Sequence, residues 1–452
     1  MTTALPPGFL RYAGERIPRY TSYPTAPFFT TDIGEKQARE WLGDLDPDAT
    51  ASLYFHVPYC RSLCWYCGCH TKIPADDAAI IHYVESLIAE IDIVASLLPG
   101  QLRISHLHWG GGTPTIIGSS ALNRVLAAVR RGFHCEAGAE LAIEIDPRTL
   151  TQGMAFALGE LGFTRASLGV QTFDPAVQRA VHRIQSAEIT EAAVHHLRKA
   201  GIPALNVDLI YGLPHQTIES CKSTVERVIA FEPDRIAVFG YAHVPTLKPH
   251  QRHLDEAALP DAMMRFEQAE TIAEAFVAAG YRRIGLDHFA KPSDAMTRAL
   301  DAGKLRRNFQ GYTTDQAHAL LGFGASSIGR LPQGYIQNTP RIGAYQDTIA
   351  AGRLAVVRGF ALSPEDRLRA DVIERLMCDL TVDLRAAVLA HDVPGMDFGR
   401  ERAALGALAE EGLVRISGDT IAVPEAMRPF VRKVAQVFDA AQVKTATHAP
   451  AV

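Results

Sequence analysis

From about residue 50, short apolar segments alternate with longer segments of helical periodicity, and this alternation restricts the possible folds more than any other feature. The apolar segments are SLYFHV, ISHLHWGGG, ELAIEID, RASLGVQ, PALNVDLIYG and RIAVFGY. Segments such as IIHYVESLIAEIDIVASLL and SSALNRVLAAVRR, which lie between them, have the spacing of amphipathic helices. Strands separated by helices of this length form right-handed βαβ units and a parallel sheet. The sequence therefore predicts an α/β fold with a full or partial (β/α) barrel.

Three regions with different sequence patterns predict the domain organisation. Residues 1–48 precede the alternation, and we interpret them as an N-terminal extension that contributes to the mouth of the active site. Residues 49–340 are the predicted barrel core. Residues 341–452 are mostly helical in pattern and resemble a small winged-helix domain, in which VRISGDTIAV predicts a β-hairpin across a Ser-Gly-Asp turn.

The composition disfavours several classes of protein. Lys and Arg number 45 against 50 Asp and Glu, so the chain has no global basic field for nucleic acid. No stretch reaches about 18 uninterrupted apolar residues, and the N-terminus lacks a basic segment followed by an apolar run. We therefore expect a cytoplasmic monomer with neither a membrane span nor a nucleic acid partner.

The cysteines are distributed as in a metal site and not as in a disulfide framework. Four of the seven lie within ten residues, at Cys60, Cys64, Cys67 and Cys69. The other three are isolated in the sequence: Cys135, Cys221 and Cys378. The spacing C-x-x-x-C-x-x-C allows three thiolates to surround one face of a cubic iron–sulfur cluster and leaves one iron open.

Zinc is the alternative occupant of this loop. Four thiolates together with His70 have the chemistry of a tetrahedral zinc site. Structural zinc sites, however, usually use two separated C-x-x-C pairs, whereas here all four cysteines lie on one loop, with Trp65 and Tyr66 inside the spacing. The pattern favours an iron–sulfur cluster.

Other polar or glycine-rich positions also follow predicted strands. The triplet Gly110 to Gly112 with Thr113 follows one strand, and Glu144 and Asp208 lie near the ends of two others. Glycines let the backbone approach a ligand and donate its N–H groups, although a triplet alone indicates only a tight turn. Carboxylates at strand ends accept hydrogen bonds from ribose hydroxyls or an ammonium group, and each is also compatible with a cap or an ion pair. These segments predict one shared site.

The triplet Cys60, Cys64 and Cys67 after a strand is similar to the signature of the radical S-adenosylmethionine enzymes, whose fold is a full or partial (β/α) barrel. The longer string HVPYCRSLCWYCGC resembles the oxygen-independent coproporphyrinogen III dehydrogenase branch, as do RYTSYPT, HWGGGTP, NVDLIYGLP, DHFAKP and NFQGYTT. The resemblance implies one [4Fe–4S] cluster, two molecules of S-adenosylmethionine, and an electron donor such as a flavodoxin or ferredoxin. It also implies conversion of two propionates of coproporphyrinogen III to vinyl groups, giving protoporphyrinogen IX.

The resemblance also implies roles for individual residues. Cys60, Cys64 and Cys67 are the implied iron ligands, and Cys69 is not one. The residues implied for the first S-adenosylmethionine are Tyr54, Tyr66, Gly111, Glu144 and Ile328. Those implied for the second are Gly112, Thr113, Gln171, Arg183, Asp208 and the backbone of Ala242. The guanidinium of Arg183 also has a planar fork that suits a carboxylate.

Substrate contacts follow less directly. Phe309 and Gln310, in RRNFQGYTT, are candidates to pack against and hydrogen-bond a flat tetrapyrrole, and simple loop packing is the alternative. Five basic residues in or near the matched motifs are candidates for the propionates: Arg19, Lys248, Arg252, Arg306 and Arg307. His56, His108 and His288 lie near motifs, and we interpret them as hydrogen-bonded core residues.

Three alternatives to this function remain at the level of sequence. The first is a haem-trafficking relative, which usually has an apolar residue where this chain has Cys69. The second is a relative that uses paired S-adenosylmethionine molecules for methyl or methylene transfer, which the tail NFQGYTT disfavours. The third is a zinc-stabilised interaction protein whose winged-helix-like tail binds nucleic acid, which the net charge of -5 disfavours.

Overall fold

The computed structural model describes residues 8–441. Within that range, twelve strands form one sheet in the order β14-β13-β12-β11-β1-β2-β3-β4-β5-β6-β8-β7. The strands in chain order are β1 (Thr50–Val57), β2 (Arg103–Gly111), β3 (His134–Ile145), β4 (Arg165–Gln171), β5 (Ala204–Tyr211), β6 (Arg235–Gly240), β7 (Arg282–Ile284), β8 (His288–Ala290), β9 (Arg306–Asn308), β10 (Gly311–Thr313), β11 (Ala319–Phe323), β12 (Ile328–Leu331), β13 (Gly334–Asn338), β14 (Val356–Ala361), β15 (Thr381–Asp383), β16 (Arg415–Ser417) and β17 (Thr420–Ala422).

Helices connect and cover these strands. In chain order they are α1 (Leu10–Ala13), α2 (Glu35–Gly43), α3 (Asp77–Leu97), α4 (Ser119–Gly132), α5 (Gln152–Glu160), α6 (Pro175–Ala180), α7 (Ala187–Lys199), α8 (Ile218–Ala230), α9 (Ala262–Ala278), α10 (Ala295–Asp301), α11 (Ile342–Ala350), α12 (Pro364–Asp379), α13 (Leu384–His391), α14 (Gly399–Glu410) and α15 (Val431–Gln436). Within the described residues, no helix has both the length and the apolar character that crossing a bilayer requires.

The central strands confirm the predicted α/β barrel fold. β1 to β6 follow one another in the sheet and are parallel, as the six apolar segments predict. β11 joins the other side of β1, also parallel, with Tyr54 opposite Gly322. Antiparallel strands lie beyond on both sides, so the barrel is partial.

Alternation along these strands separates an apolar layer from a polar interior. Phe55 stacks on Trp109 and Phe323, with ring centroids 4.5 Å and 5.2 Å apart, and all three are fully buried in the main core. Helix α3 packs into the same core through side chains at helical spacing, and the Asp76 carboxylate caps its first turn by accepting from the Ala79 amide. Neighbouring strand residues point to the opposite side and line the interior of the barrel.

The C-terminal region confirms the predicted helical part with a hairpin. β16 and β17 pair as an antiparallel hairpin, and β15 completes a three-stranded sheet beside helices α12 to α15. The residues of this region share a second core with N-terminal side chains that include Phe9, Tyr12 and Ile17. The main sheet continues to β14, beyond residue 340, so the packing favours a boundary near residue 361. The division into three domains stays a prediction.

Candidate active site at the carboxyl ends of the strands

The cysteine loop begins where β1 ends, and backbone hydrogen bonds close it. The Cys60 amide donates to the Lys72 carbonyl at 3.0 Å, and the Lys72 amide donates to the Pro58 carbonyl at 2.8 Å. A second segment supports the loop, since His250 Nε2 lies 2.7 Å from the Cys67 carbonyl and Lys248 Nζ donates to the Cys69 carbonyl at 2.9 Å. The four cysteines of the sequence cluster are therefore held within one short, braced segment.

Two of the predicted ligand sulfurs accept hydrogen bonds from polar groups. Thr71 Oγ1 donates to Cys60 Sγ at 3.3 Å. Two guanidinium groups donate to Cys64 Sγ, Arg183 Nη1 at 3.5 Å and Arg148 Nη2 at 3.6 Å. Such donors stabilise a thiolate, which is the form of cysteine that binds a metal. The donor set therefore fits an iron–sulfur cluster held by thiolates.

The electrostatic environment shifts the pKa values of two of the predicted ligand thiols in opposite directions. Burial raises the pKa of Cys60, and the hydrogen bonds from Thr71 and Thr113 oppose that effect. A hydrogen bond from Cys69 is the main cause of a lowered pKa at Cys67. Within residues 8–441, no three His, Cys, Asp or Glu side chains are grouped to hold a metal ion. Ligands of a cubane bind different irons and so do not converge on one point.

The amides of the glycine segment are used by the chain itself. Gly111 N donates to Glu144 Oε2 at 3.2 Å, Gly112 N to the Val57 carbonyl at 2.8 Å, and Thr113 N to the Tyr59 carbonyl at 2.8 Å. These three N–H groups therefore donate within the chain, and the assignment of Gly111, Gly112 and Thr113 to a cofactor stays a prediction. A Cβ atom on Gly112 would lie 2.3 Å from the Tyr59 carbonyl oxygen, so glycine is required for close packing against the cysteine loop.

Glu144 lies near the end of β3 among polar groups of neighbouring strands. Its Oε1 lies 3.2 Å from His108 Nε2, and Tyr54 stacks on the His108 ring with centroids 5.9 Å apart. The Tyr54 hydroxyl lies 3.1 Å from His56 Nδ1, and His56 Nε2 lies 2.9 Å from the His70 carbonyl. The three histidines near motifs are all hydrogen-bonded, since His288 Nδ1 lies 2.8 Å from Asp287 Oδ1.

Asp208 is held inside the barrel by one side chain of the adjacent strand β4 and one of its own strand β5. Ser167 Oγ donates to one carboxylate oxygen at 2.9 Å, and Asn206 Nδ2 donates to the other at 2.8 Å. Burial raises the pKa of Asp208 to about 6. Asp208 and Glu144 line the same interior cavity of about 990 Å³, which we call the lumen cavity.

Arg183 is part of a charged group that sequence reasoning missed. Its Nη2 lies 3.3 Å from Asp146 Oδ1, and Asp146 also accepts from Arg148 at 2.6 Å. Although burial opposes ionisation, the hydrogen bond from Arg148 and the charge of Arg183 lower the pKa of Asp146. Gln171 is close to this group, because a Cβ on Gly169 would meet Gln171 Nε2 at 3.0 Å and Arg183 Nη2 at 3.3 Å. Asp146 follows β3 directly, and this position at a strand end is the sequence feature that could have identified it as a site residue.

The remaining cofactor candidates are Tyr66, which is in the cysteine loop, Ala242 and Ile328. Gln251 Nε2 donates to the Tyr66 carbonyl at 3.1 Å and to the Ala242 carbonyl at 3.2 Å, so one side chain links these two positions. Ile328 begins β12, and its carbonyl lies against Gly322, the residue opposite Tyr54 in β11. Lys248 and Arg252 lie beside the loop, away from the lumen cavity.

The two substrate candidates face different cavities. Gln310 lines the lumen cavity with Glu144 and Asp208. Phe309 lines an adjacent cavity of about 750 Å³, the hairpin cavity, and meets the Tyr335 ring edge-on at 6.0 Å. Four residues line both cavities: Asn308, Thr313, Asp315 and Leu320. The hairpin cavity is also lined by the N-terminal residues Tyr20, Thr21, Ser22 and Tyr23 and by Arg306 and Arg307. The β9–β10 hairpin thus lies between the two spaces.

Comparison with known proteins identifies the class and then the family. Residues 54–228 match the radical SAM superfamily, and with the barrel and the cysteine loop they define a radical S-adenosylmethionine enzyme. The oxygen-independent coproporphyrinogen III oxidase of Bradyrhizobium diazoefficiens is 52% identical over 429 residues, which cover 95% of each chain. The Escherichia coli oxidase is 38% identical and covers 93% of this chain and 92% of its own.

A solved structure agrees with these relatives. The structure of coproporphyrinogen III oxidase from Escherichia coli, described as a radical SAM enzyme, superposes with a TM-score of 0.89. It is 38% identical, and the match covers 94% of this chain and 98% of that one. The chain therefore belongs to the oxygen-independent coproporphyrinogen III oxidase family. The haem-trafficking alternative is not favoured.

Proposed function

We propose that the protein converts coproporphyrinogen III to protoporphyrinogen IX without oxygen, by oxidative decarboxylation of two propionates to vinyl groups. The observation that carries this proposal is the similarity to curated oxidases of that name over nearly the whole chain. The lumen and hairpin cavities are adjacent, so a tetrapyrrole that enters both would lie beside Glu144 and Asp208 on one side and Phe309 on the other. Asn308 and Thr313 line both cavities, which supports the binding of one substrate molecule in contact with the two cavities.

The chain's residues support binding of the cofactors of this family. Cys60, Cys64 and Cys67 would hold one [4Fe–4S] cluster, with S-adenosylmethionine beside it. When bound, these cofactors supply the radical chemistry that removes a hydrogen atom from a propionate. Tyr54, Tyr66, Gly111, Glu144 and Ile328 are proposed for the first S-adenosylmethionine. Gly112, Thr113, Gln171, Arg183, Asp208 and Ala242 are proposed for the second.

Protein side chains prepare the site in three ways. Thr71, Arg148 and Arg183 donate hydrogen bonds to cysteine sulfurs and so stabilise thiolates. Glu144, which accepts from the Gly111 amide, and Asp208 present carboxylates to the lumen cavity, where they suit hydroxyl or ammonium donors. The β9–β10 hairpin, through Phe309 and Gln310, covers the substrate and limits access of water, which would otherwise quench reactive species.

Anaerobic turnover tests the function directly. The reconstituted and reduced protein is incubated with S-adenosylmethionine and coproporphyrinogen III, and carbon dioxide, 5'-deoxyadenosine and vinyl-bearing product are followed together. We expect all three, and none when S-adenosylmethionine is omitted. Deoxyadenosine without vinyl product would assign the chain a different substrate, and neither product from protein with an intact cluster would refute the proposal.

The proposed second S-adenosylmethionine is tested by the stoichiometry of binding. We expect wild-type protein to bind two molecules per chain and Asp208→Asn to bind one, because the amide replaces a carboxylate acceptor. Since burial raises the pKa of Asp208 to about 6, the carboxylate is present above that pH and protonated below it. Wild-type affinity for the second molecule should therefore fall as pH decreases through 6, and the variant should not show this change.

Equilibrium dialysis from pH 5 to pH 8 measures both quantities. Glu226→Gln, an exposed substitution on α8, is the matched control and should bind as wild type does. A wild-type stoichiometry of one, or two in Asp208→Asn with an unchanged pH profile, would contradict the assignment.

We also propose that a small acidic electron carrier, such as a flavodoxin or ferredoxin, reduces the cluster, and that the chain acts as a monomer. Exposed apolar side chains border the cysteine loop at Ile73, Ile184 and Leu247, with Lys72 and Arg252 exposed nearby. A reduction rate that falls with salt would support this docking, and sedimentation tests the monomer. The cytoplasmic location stays a prediction.

A further inference from the structure

A third cavity, of about 660 Å³, lies on the outer face of the barrel near the ends of β5 and β6. Its wall includes Val238 and Gly240, whereas their neighbours Ala237 and Phe239 line the lumen cavity. Helix α9 and the C-terminal region complete the wall. Five arginines line this space, which we call the arginine cavity: Arg19, Arg265, Arg283, Arg307 and Arg432.

The charges in the arginine cavity are unequal. Among the described residues, two carboxylates line it, Glu270 and Asp287. Arg283 makes two hydrogen bonds to Glu270, at 2.8 Å and 3.2 Å, so these two residues form a neutral pair. Asp287 is the second lining carboxylate, and its Oδ1 lies 3.9 Å from Arg307 Nη1. A carboxylate ligand would give Arg307 a further anionic partner.

Arg432 is buried and lies within the electrostatic influence of Arg19. Arg19 is exposed, and its Nη2 donates to the Gly240 carbonyl at 2.7 Å. Burial lowers the pKa of Arg432 to about 10, with Arg19 as the next cause. The guanidinium groups are therefore close enough to repel one another.

Arg307 has buried donor groups that make no hydrogen bond among the described residues, although Tyr312 and Asp287 raise its pKa against the effect of burial. Its side chain is 4% exposed, and its Nη1 lies 3.9 Å from Asp287 Oδ1, beyond hydrogen-bond distance. Nε and Nη1 are buried without a hydrogen-bond partner in the part of the chain that the structure describes. Nη2 donates to the Arg19 carbonyl at 3.3 Å, and the guanidinium lies over the Tyr312 ring at 4.3 Å. A buried guanidinium in this state favours a carboxylate ligand.

We propose that the arginine cavity binds the carboxylate of a propionate that the reaction leaves intact. This inference rests on the proposed function and deepens it, because the substrate has four propionates and only two react. Arg307 lines both the hairpin cavity and the arginine cavity, so a tetrapyrrole beside Phe309 reaches it with one arm. The arginine cavity shares no lining residue with the lumen cavity of Glu144 and Asp208. A carboxylate on Arg307 is thus held apart from the proposed cofactor carboxylates.

Three porphyrins that differ in their propionates test the proposal by fluorescence titration of the full-length, reconstituted chain. Coproporphyrin III has four propionates, protoporphyrin IX keeps the two that do not react, and etioporphyrin III has none. Arg307→Gln should weaken binding of the first two by the same factor, on the order of 30-fold, because a charged hydrogen-bond partner is lost. Etioporphyrin III binding should be unchanged, and Arg307→Lys should restore part of the loss.

Arg369→Gln is the matched control, because Arg369 is a buried arginine whose partners are Glu365 and Glu401. It should affect stability without changing porphyrin selectivity. Arg19→Gln should show the same selective loss and serves if Arg307→Gln does not fold. A loss for coproporphyrin III alone would mean that a reacting propionate binds there, and equal losses for all three porphyrins would mean a structural role; either overturns the proposal. Failure of the proposed function appears separately, as wild-type protein that makes no vinyl product.

Discussion

Cys64→Ser is expected to abolish turnover and to remove the iron–sulfur cluster. The Cys64 sulfur is buried and accepts hydrogen bonds from Arg148 and Arg183, two groups that stabilise a thiolate. A serine hydroxyl is not deprotonated under these conditions and is a poor ligand for iron. Reconstituted wild-type protein should contain about four irons per chain, as one [4Fe–4S] cluster requires, and the variant close to none. Iron and sulfide analysis with visible absorption measures this.

Cys69→Ala is the informative control, because Cys69 is on the same loop and is predicted not to be a ligand. It should keep wild-type iron content. Cys221→Ala, a buried thiol on α8, should keep both iron and activity. Loss of iron in Cys69→Ala together with retention in Cys64→Ser would contradict the ligand assignment. That result would also favour the zinc alternative, and analysis of the zinc and iron content of the protein would distinguish the two.

The central fold could be predicted because its strands are buried on both sides. Each of β1 to β6 appears in the sequence as a short apolar run, since helices cover one face and the polar interior is limited to a few positions near strand ends. β11 has the same parallel geometry, but its five residues are not followed by a helix and therefore resemble any short buried segment. Its place beside β1 depends on tertiary packing.

Side-chain placement was less predictable than position along the chain. Glu144 and Asp208 meet in one cavity because parallel strands end at the same edge of the sheet. The partners of Arg183 were missed, because ion pairing between Asp146 and two arginines depends on the path of the loops after β3 and α6. Phe309 and Gln310 are adjacent in sequence but line different cavities, since they form the turn between β9 and β10, where no strand alternation predicts the direction of a side chain.

The glycine segment shows that one glycine pattern is compatible with more than one structural use. Glycine suits both ligand binding and close packing, and composition does not distinguish these two uses. The amide of Gly112 donates to Val57, and its missing side chain leaves room for Tyr59. Its effect on a cofactor would therefore be exerted through the position of the cysteine loop.

Glu90→Ala is expected to destabilise the protein by about 4 kcal/mol, a large value for one substitution. Glu90, on α3, is buried and accepts three hydrogen bonds: from the Gly324 amide at 2.7 Å, Asn338 Nδ2 at 2.6 Å and the Tyr345 hydroxyl at 2.8 Å. Alanine would leave these buried donors without their acceptor and would create a cavity. Thermal or denaturant unfolding at neutral pH measures the difference.

Glu85→Ala is the matched control, since Glu85 lies on the same helix but is half exposed and pairs with Arg124 at 2.7 Å. A surface pair of this kind contributes less than about 1 kcal/mol, so the control should unfold almost as wild type does. Because both substitutions change helix propensity alike, their difference isolates the buried hydrogen bonds. Equal losses for the two variants would show that α3 is not anchored to the segment after β11 through Glu90. A loss confined to Glu90→Ala would show that this carboxylate joins α3 to the segment after β11, to β13 and to α11.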